Sequence, residues 1–293
     1  MVSYITIQMD SKHELRVHDF DIAVINLDRR PDRISHLYKN APIMFRRSAA
    51  IDGQNLSKHY FQFSDLLDTI RSQQRVLGEV GCSLSHYSLW KEHIEKHKHE
   101  HLIIFEDDVM FSDTSREQYK LMTNEVSQAV LEKEFQFDLI YVGGQWTPNY
   151  DIDGATPPYF AFQKTTSESL LTHYCESIVP GIYKRRNLSP AVIQGQRNVW
   201  FSPLFRTAGA YVISQRGAKR LLEAVETDTA LFMKTPLDMW LLEMDFRGYI
   251  DAYDRFPHPF YQAGFEMVRE PSHAANDIHR GVYSNIQLPP QFS

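Results

Sequence analysis

The stretch LIIFEDDVM, Leu102 to Met110, runs four apolar residues straight into three consecutive acids. A short, wholly apolar run suits a strand buried on both faces of a parallel sheet. Glu106, Asp107 and Asp108 cannot share that interior, because burying unpaired charges is far too costly. The chain therefore surfaces between Phe105 and Glu106, at the carboxyl end of a central strand. In open α/β sheets that edge is where ligands bind. Clustered carboxylate oxygens there suit Mg²⁺ or Mn²⁺, with waters and phosphate oxygens completing the shell. A solvated acidic turn accounts for the same three residues, and the triplet alone does not choose between the two readings.

Upstream of this stretch, Leu84, Tyr87, Trp90 and Ile94 fall on one face of a helix. The segment Gly78 to Ser83 reads as the approach to that helix, where two glycines and a serine let an oxyanion come close or simply form a turn and cap. His93, His97, His99 and His101 lack the HExxH pattern of a zinc helix and read as a solvated, histidine-rich helix end. Ile22 to Leu27 has a buried-strand pattern and leads into DRRPDR, which serves either an anion such as a diphosphate or a solvated helix start with Pro31 early in it. Met44 to Ala50 predicts a second strand, and Asp52-Gly53 a turn. Ahead of all this, Tyr4 to Gln8 and Leu15 to Val17 predict an N-terminal hairpin extension over residues 1–20.

Downstream, Thr114 and Glu117 form a capping box before an amphipathic helix. Leu139 to Val142 predicts another buried strand, opening into Gly143-Gly144. Periodicity then fades, and residues 146–199 read as a loop excursion over the ligand edge. Arg206 to Ser214 restores strand character, with a helix after it. Thr235, Pro236 and Asp238 predict a helix start with threonine as N-cap and the acid at the third position, a routine capping arrangement. Tyr249 to Tyr253 predicts a last strand, and residues 267–293 a loosely packed tail.

Composition narrows the classes. With 293 residues, 43% hydrophobic and 23% charged, the chain reads as an ordinary globular protein able to bury a substantial core. Its net charge of −6 argues against a nucleic-acid binder. Cys82 and Cys175 are too few for a disulfide scaffold or a zinc ribbon and fit a reducing compartment. No transmembrane segment is expected, because no apolar run approaches the ~20 residues that span a bilayer. No signal-peptide pattern or retrieval signal is visible, so a cytoplasmic location is the expectation.

Seven segments in order, INLDRRPDR, AAIDG, GEVGCSLSHYSLWKE, IIFEDDV, DLIYVGG, TAGAYVISQRGAKRLL and TPLDMWL, resemble glycosyltransferase family 25, which includes lipooligosaccharide β-galactosyltransferases and collagen galactosyltransferases. They cover roughly Ile22 to Leu242. The resemblance implies an α/β GT-A fold, a Rossmann-like nucleotide-binding sheet merged with an acceptor-binding half. On that reading residues 21–266 form the catalytic domain, with 21–145 the donor-binding half and 200–266 the acceptor and catalytic half. The implied reaction is metal-dependent, inverting transfer of a sugar, most often galactose, from UDP-galactose or UDP-glucose to a hydroxyl of a saccharide or a collagen-like protein.

The resemblance also distributes roles. The triplet takes the place of the DxD motif, with Asp108 as direct metal ligand, Glu106 on the ribose or a metal-bound water, and Asp107 also near the donor. Mn²⁺ is the expected ion, with Mg²⁺ as the alternative, and His258 is a candidate further ligand or else a packed loop histidine. Asn26, Leu27, Arg30 and Arg33 match the motif placed at the uridine and diphosphate. Asp52 and Gly53 match the one near the base or ribose; Glu79, Gly81, Ser85 and His86 match a third, close to the donor. Asp238 matches the late aspartate and is the candidate base, in competition with its role as a helix cap. A catalytically silent nucleotide-sugar-binding or scaffold protein of the same fold is the second reading. A nucleotidyltransferase is the third, weakened because DRRPDR contains no glycine.

Overall fold

In the computed structural model the strand His101–Glu106 is buried through Phe105, and Glu106 alone is partly exposed. The model describes residues 20–58, 77–96, 98–111, 115–131, 135–145, 175–179, 181–185, 208–255 and 260–262. The expected N-terminal hairpin, the cap residue Thr114, His258 and the tail all lie outside the described residues.

In chain order the strands are β1 (Phe20–Asn26), β2 (Arg46–Ala49), β3 (His101–Glu106), β4 (Val109–Met110), β5 (Leu139–Tyr141), β6 (Gly143–Gln145), β7 (Cys175–Val179), β8 (Ile182–Arg185), β9 (Ala210–Ser214), β10 (Ala252–Arg255) and β11 (Phe260–Gln262). Eight of them form one sheet in the order β2-β1-β3-β9-β5-β10-β8-β7; β4, β11 and β6 form a small second sheet. β3 runs parallel to β1 but antiparallel to β9, so the wholly parallel sheet expected around it is in fact mixed. Burial on both faces demanded the apolar run; strand direction left no trace in it.

Alternation sends the two sides of each strand to different layers. Leu102 and Ile104 join Ala23, Ile25, Tyr211 and Ile213 on one face. That face carries α2 (Leu77–Lys96), α4 (Gln215–Thr227), α5 (Thr229–Lys234) and α6 (Leu237–Phe246). Ile103 and Phe105 join Val24 and Val212 on the other, beneath α1 (Pro31–Asn40) and α3 (Ser115–Leu131). The result is a three-layer α/β/α arrangement of Rossmann type, with the helices supplying the apolar stripes that both sheet faces need.

Five local expectations shift, the first being the solvated histidine end, because His93 and His101 are buried and His101 opens β3. Gly78 to Ser83 lies inside α2 rather than before it. The excursion contains the hairpin β7–β8, which extends the main sheet against β10. The last main-sheet strand starts at Ala252, not Tyr249, because Gly248 at φ 72° still belongs to the turn that closes α6. Thr235 closes α5 as its C-cap, so α6 begins at Leu237 behind Pro236, with no side-chain cap. That places Asp238 at the second helical position.

Candidate donor and metal site

Glu106 continues the alternation of Leu102 and Ile104, so it faces the layer that α2 covers. Cys82 and His86, four residues apart on α2, meet it there. The Cys82 thiol donates to Glu106 Oε1 at 3.1 Å, and His86 Nε2 stands 3.4 Å from the same oxygen. His86 is fully buried, and its Nδ1 lies 2.7 Å from the Tyr211 hydroxyl, which also accepts from Trp90 Nε1 at 3.0 Å.

Further carboxylates close on this point. Burial pushes the Cys82 thiol well above its ordinary pKa, and the charges of Glu106, Asp238 and Asp108 push it the same way. Asp238 is also raised, first by burial and then by Glu106 and Glu79, against the lowering bond that its Oδ1 accepts from Met239 N at 2.8 Å. Desolvation therefore outweighs the helix amino end at this residue. The charges of Glu106, Asp238 and Asp108 thus bear on Cys82, and those of Glu106 and Glu79 on Asp238, so this edge is acidic. Carboxylate oxygens are the ligands a hard divalent cation takes, and Glu106 is the one that also stands beside Cys82 and His86. Cys82, His86 and Glu106 also bring ligand atoms within 4.8 Å of one another.

Asp107 turns elsewhere. It accepts from Asn26 Nδ2 and Arg33 Nη1, both at 2.7 Å, and Asn26 Nδ2 also reaches Arg30 O at 2.9 Å. Arg47 Nε donates to Asn26 Oδ1 at 2.9 Å. Asn26, Arg33 and Asp107 are thus brought together by bonds to one another. The Arg30 guanidinium grips Asp32 through two bonds, 3.0 and 2.7 Å, and holds that carboxyl below its usual range. Leu27 contributes the backbone oxygen that accepts from Arg30 N at 2.9 Å, closing the turn into α1.

A third group is a packing joint. A Cβ on Gly81 would lie 2.5 Å from Ile51 O and 2.7 Å from Gly53 N, and one on Gly53 would lie 1.9 Å from Leu77 O. Only glycine permits backbones this close. Ser85 Oγ accepts from Ile51 N at 2.8 Å and donates to Gly81 O at 2.6 Å, pinning the same loop to α2. Asp52 caps Gln54 N at 3.0 Å and pairs with Arg29 at 3.1 Å.

Sequence reading missed Cys82, Trp90 and Tyr211 as site residues. The signals were present: a Cys82–His86 spacing of one helical turn, and a tyrosine hydroxyl in the middle of the buried strand β9, which needs a partner there.

Comparison with known proteins agrees with the fold. The sequence model described as "Glycosyltransferase family 25 (LPS biosynthesis protein)" matches residues 20–240. A rat protein named "Probable inactive glycosyltransferase 25 family member 3" is 27% identical over 278 residues, 88% of this chain and 39% of its own length. Human "Procollagen galactosyltransferase 2" is 32% identical over 132 residues, 42% of this chain and 20% of its own. "Procollagen lysyl hydroxylase and glycosyltransferase" of Acanthamoeba polyphaga mimivirus is 31% identical over 136 residues, 41% and 14%. The chain thus spans two-fifths or less of the length of these relatives.

Proposed function

The chain belongs to glycosyltransferase family 25, and from that premise we propose that it transfers a sugar, galactose in the first instance, from a UDP-sugar to an acceptor hydroxyl with inversion. One observation carries the reading: Glu106, at the end of β3, meets Cys82 and His86 of α2, and the charges of Asp108 and Asp238 bear on the same thiol. Glu106 and Asp108 would hold the divalent cation, Mn²⁺ or Mg²⁺, with His258 a further candidate. The cation, when bound, supplies positive charge that offsets the departing diphosphate. Asn26, Arg33 and Asp107 tie the end of β1 and the start of α1 to the turn of the triplet, which keeps Glu106 and Asp108 in register with the donor.

Asp238 takes the proton from the acceptor hydroxyl. An inverting transfer needs one base opposite the leaving group, and a carboxylate whose pKa is raised holds that proton better. The name of the human relative supports a collagen-like acceptor, and a saccharide is the alternative. The name of the rat relative favours a second reading, a catalytically silent protein of this fold.

Release of UDP from UDP-galactose, UDP-glucose and their N-acetyl forms, without acceptor and with Mn²⁺ or chelator, separates the two. Mn²⁺-dependent release from one donor is expected. Failure to cleave any donor, together with failure to bind UDP in the presence of metal, would leave the silent reading.

A further inference from the structure

Trp90, Tyr211 and His86 are fully buried and form a continuous polar line that ends on Glu106. We infer that Trp90 and Tyr211 are positioning residues for Glu106, acting through the tautomer of His86; this rests on the reading of Glu106 as a donor-site carboxylate.

The direction of each link follows from which atom can donate. The Trp90 indole N–H can only donate, so at 3.0 Å the Tyr211 oxygen accepts. Tyr211 has a single proton to place, and at 2.7 Å its neighbour is His86 Nδ1. That nitrogen is then an acceptor, and the imidazole keeps its proton on Nε2. The Nε2–H group faces Glu106 Oε1 at 3.4 Å, while the Cys82 thiol donates to the same oxygen at 3.1 Å. The last histidine link is long, so Cys82 makes the closer contact to that oxygen. With the opposite tautomer, the phenolic proton would face no acceptor among these groups. A bare nitrogen lone pair would also point at the carboxylate. Burial keeps the Tyr211 phenol protonated, as the relay requires.

Cys82, His86 and Glu106 are clustered like metal ligands, and the relay gives the same cluster a hydrogen-bonded arrangement. Both side chains on α2 present hydrogen to the carboxylate rather than lone pairs to an ion. A phenylalanine at position 211 would fill the same space but release His86 Nδ1. Neighbours that orient a site carboxylate or histidine typically contribute ~10- to 100-fold to affinity or activity.

The test uses the full chain labelled with ¹⁵N-histidine. In the native protein the His86 resonances should report a protonated Nε2 and a bare Nδ1; in Tyr211→Phe the two tautomers should mix. Calorimetry should show UDP with Mn²⁺ binding at least tenfold more weakly to Tyr211→Phe, on the order expected for a lost orienting neighbour. The loss should disappear when both proteins also carry Glu106→Gln. Trp90→Phe, which removes the terminal donor together with part of a buried ring packed on Phe232 and Trp240, should shift the His86 tautomer in the same direction. A native His86 protonated on Nδ1 overturns the relay. So does a Tyr211→Phe loss that persists undiminished in the Glu106→Gln background, since that is what mere loosening of the core would produce. If the native chain binds no UDP with metal, the donor-site reading of Glu106 fails, and the positioning role with it, while the tautomer measurement still decides the direction of the hydrogen bonds.

Discussion

Mild acid should weaken this fold through a histidine far from the acidic edge. His101, at the amino end of β3, is stacked between Phe20 and Phe137 with ring centroids 5.1 and 5.2 Å away. It is 5% exposed, and its Nδ1 has no hydrogen-bond partner among the described residues. Burial, helped by the charge of His93, holds its pKa down to about 4. An exposed imidazole titrates near ~6.5. As pH falls, the unfolded chain therefore takes up the proton first. The contribution to stability is complete above ~6.5 and drains away as pH falls towards the folded value. Going from pH 7 to pH 5 costs about 2 kcal/mol through His101 alone, from the pKa of about 4 in the fold. His93, also held down to about 4 by burial, steepens the slope. His101→Phe would complete the aromatic stack and remove the titration. Urea unfolding of both proteins at pH 7 and pH 5 reads the effect: the variant should lose about 2 kcal/mol less over that interval. Equal losses in the two proteins would refute the assignment of the acid sensitivity to this ring.

Asp238→Asn should abolish transfer while leaving UDP binding nearly intact, as steady-state kinetics and calorimetry would show. Because the folded pKa of Asp238 is raised, its ionised form costs stability at neutral pH; the metal-free variant should melt higher than the native chain at pH 7, the gap closing below ~4, where both side chains are neutral. Asp107→Asn weakens the ion pair with Arg33, whose partners are only 12% and 10% exposed, and should cost roughly 1–3 kcal/mol in urea unfolding. Gly81→Ala puts a methyl 2.5 Å from Ile51 O, and should cost about 1–3 kcal/mol by the same assay while loosening the loop from α2. Chelation should end UDP release, and added Mn²⁺ should restore it.

Local chemistry was legible where the sequence signal was itself local. The run from Leu102 to Phe105 demanded burial on both faces, and the acids after it demanded an edge, so β3 and its polarity could be placed from composition and order alone. The Ile22 strand and the Trp90 helix face followed from periodicity in the same way. What escaped was set by partners distant in the chain. Nothing within AYVIS declares that β9 runs against β3, because a strand buried on both faces looks alike in either direction. The α5 helix took Thr235 as its C-cap, and only its presence moved the start of α6. Gly81 reads equally as a phosphate-binding glycine or as room for a neighbouring backbone; the neighbour, Ile51, is thirty residues earlier. Cys82 and Tyr211 became site residues only when α2 was laid over the sheet.

The reversed direction of β9 has a consequence for how such a protein can diversify. β8 ends on the rim opposite the acids, whereas β9 starts on the acidic rim, next to Phe105 and Glu106. The connection between Arg185 and Ala208 has its first end on one rim and its second on the other, beside the carboxylates. That connector can lengthen, shorten or change its chemistry without altering a single register in the main sheet. Selection can then retune what approaches the acids while the scaffold that holds them is inherited unchanged.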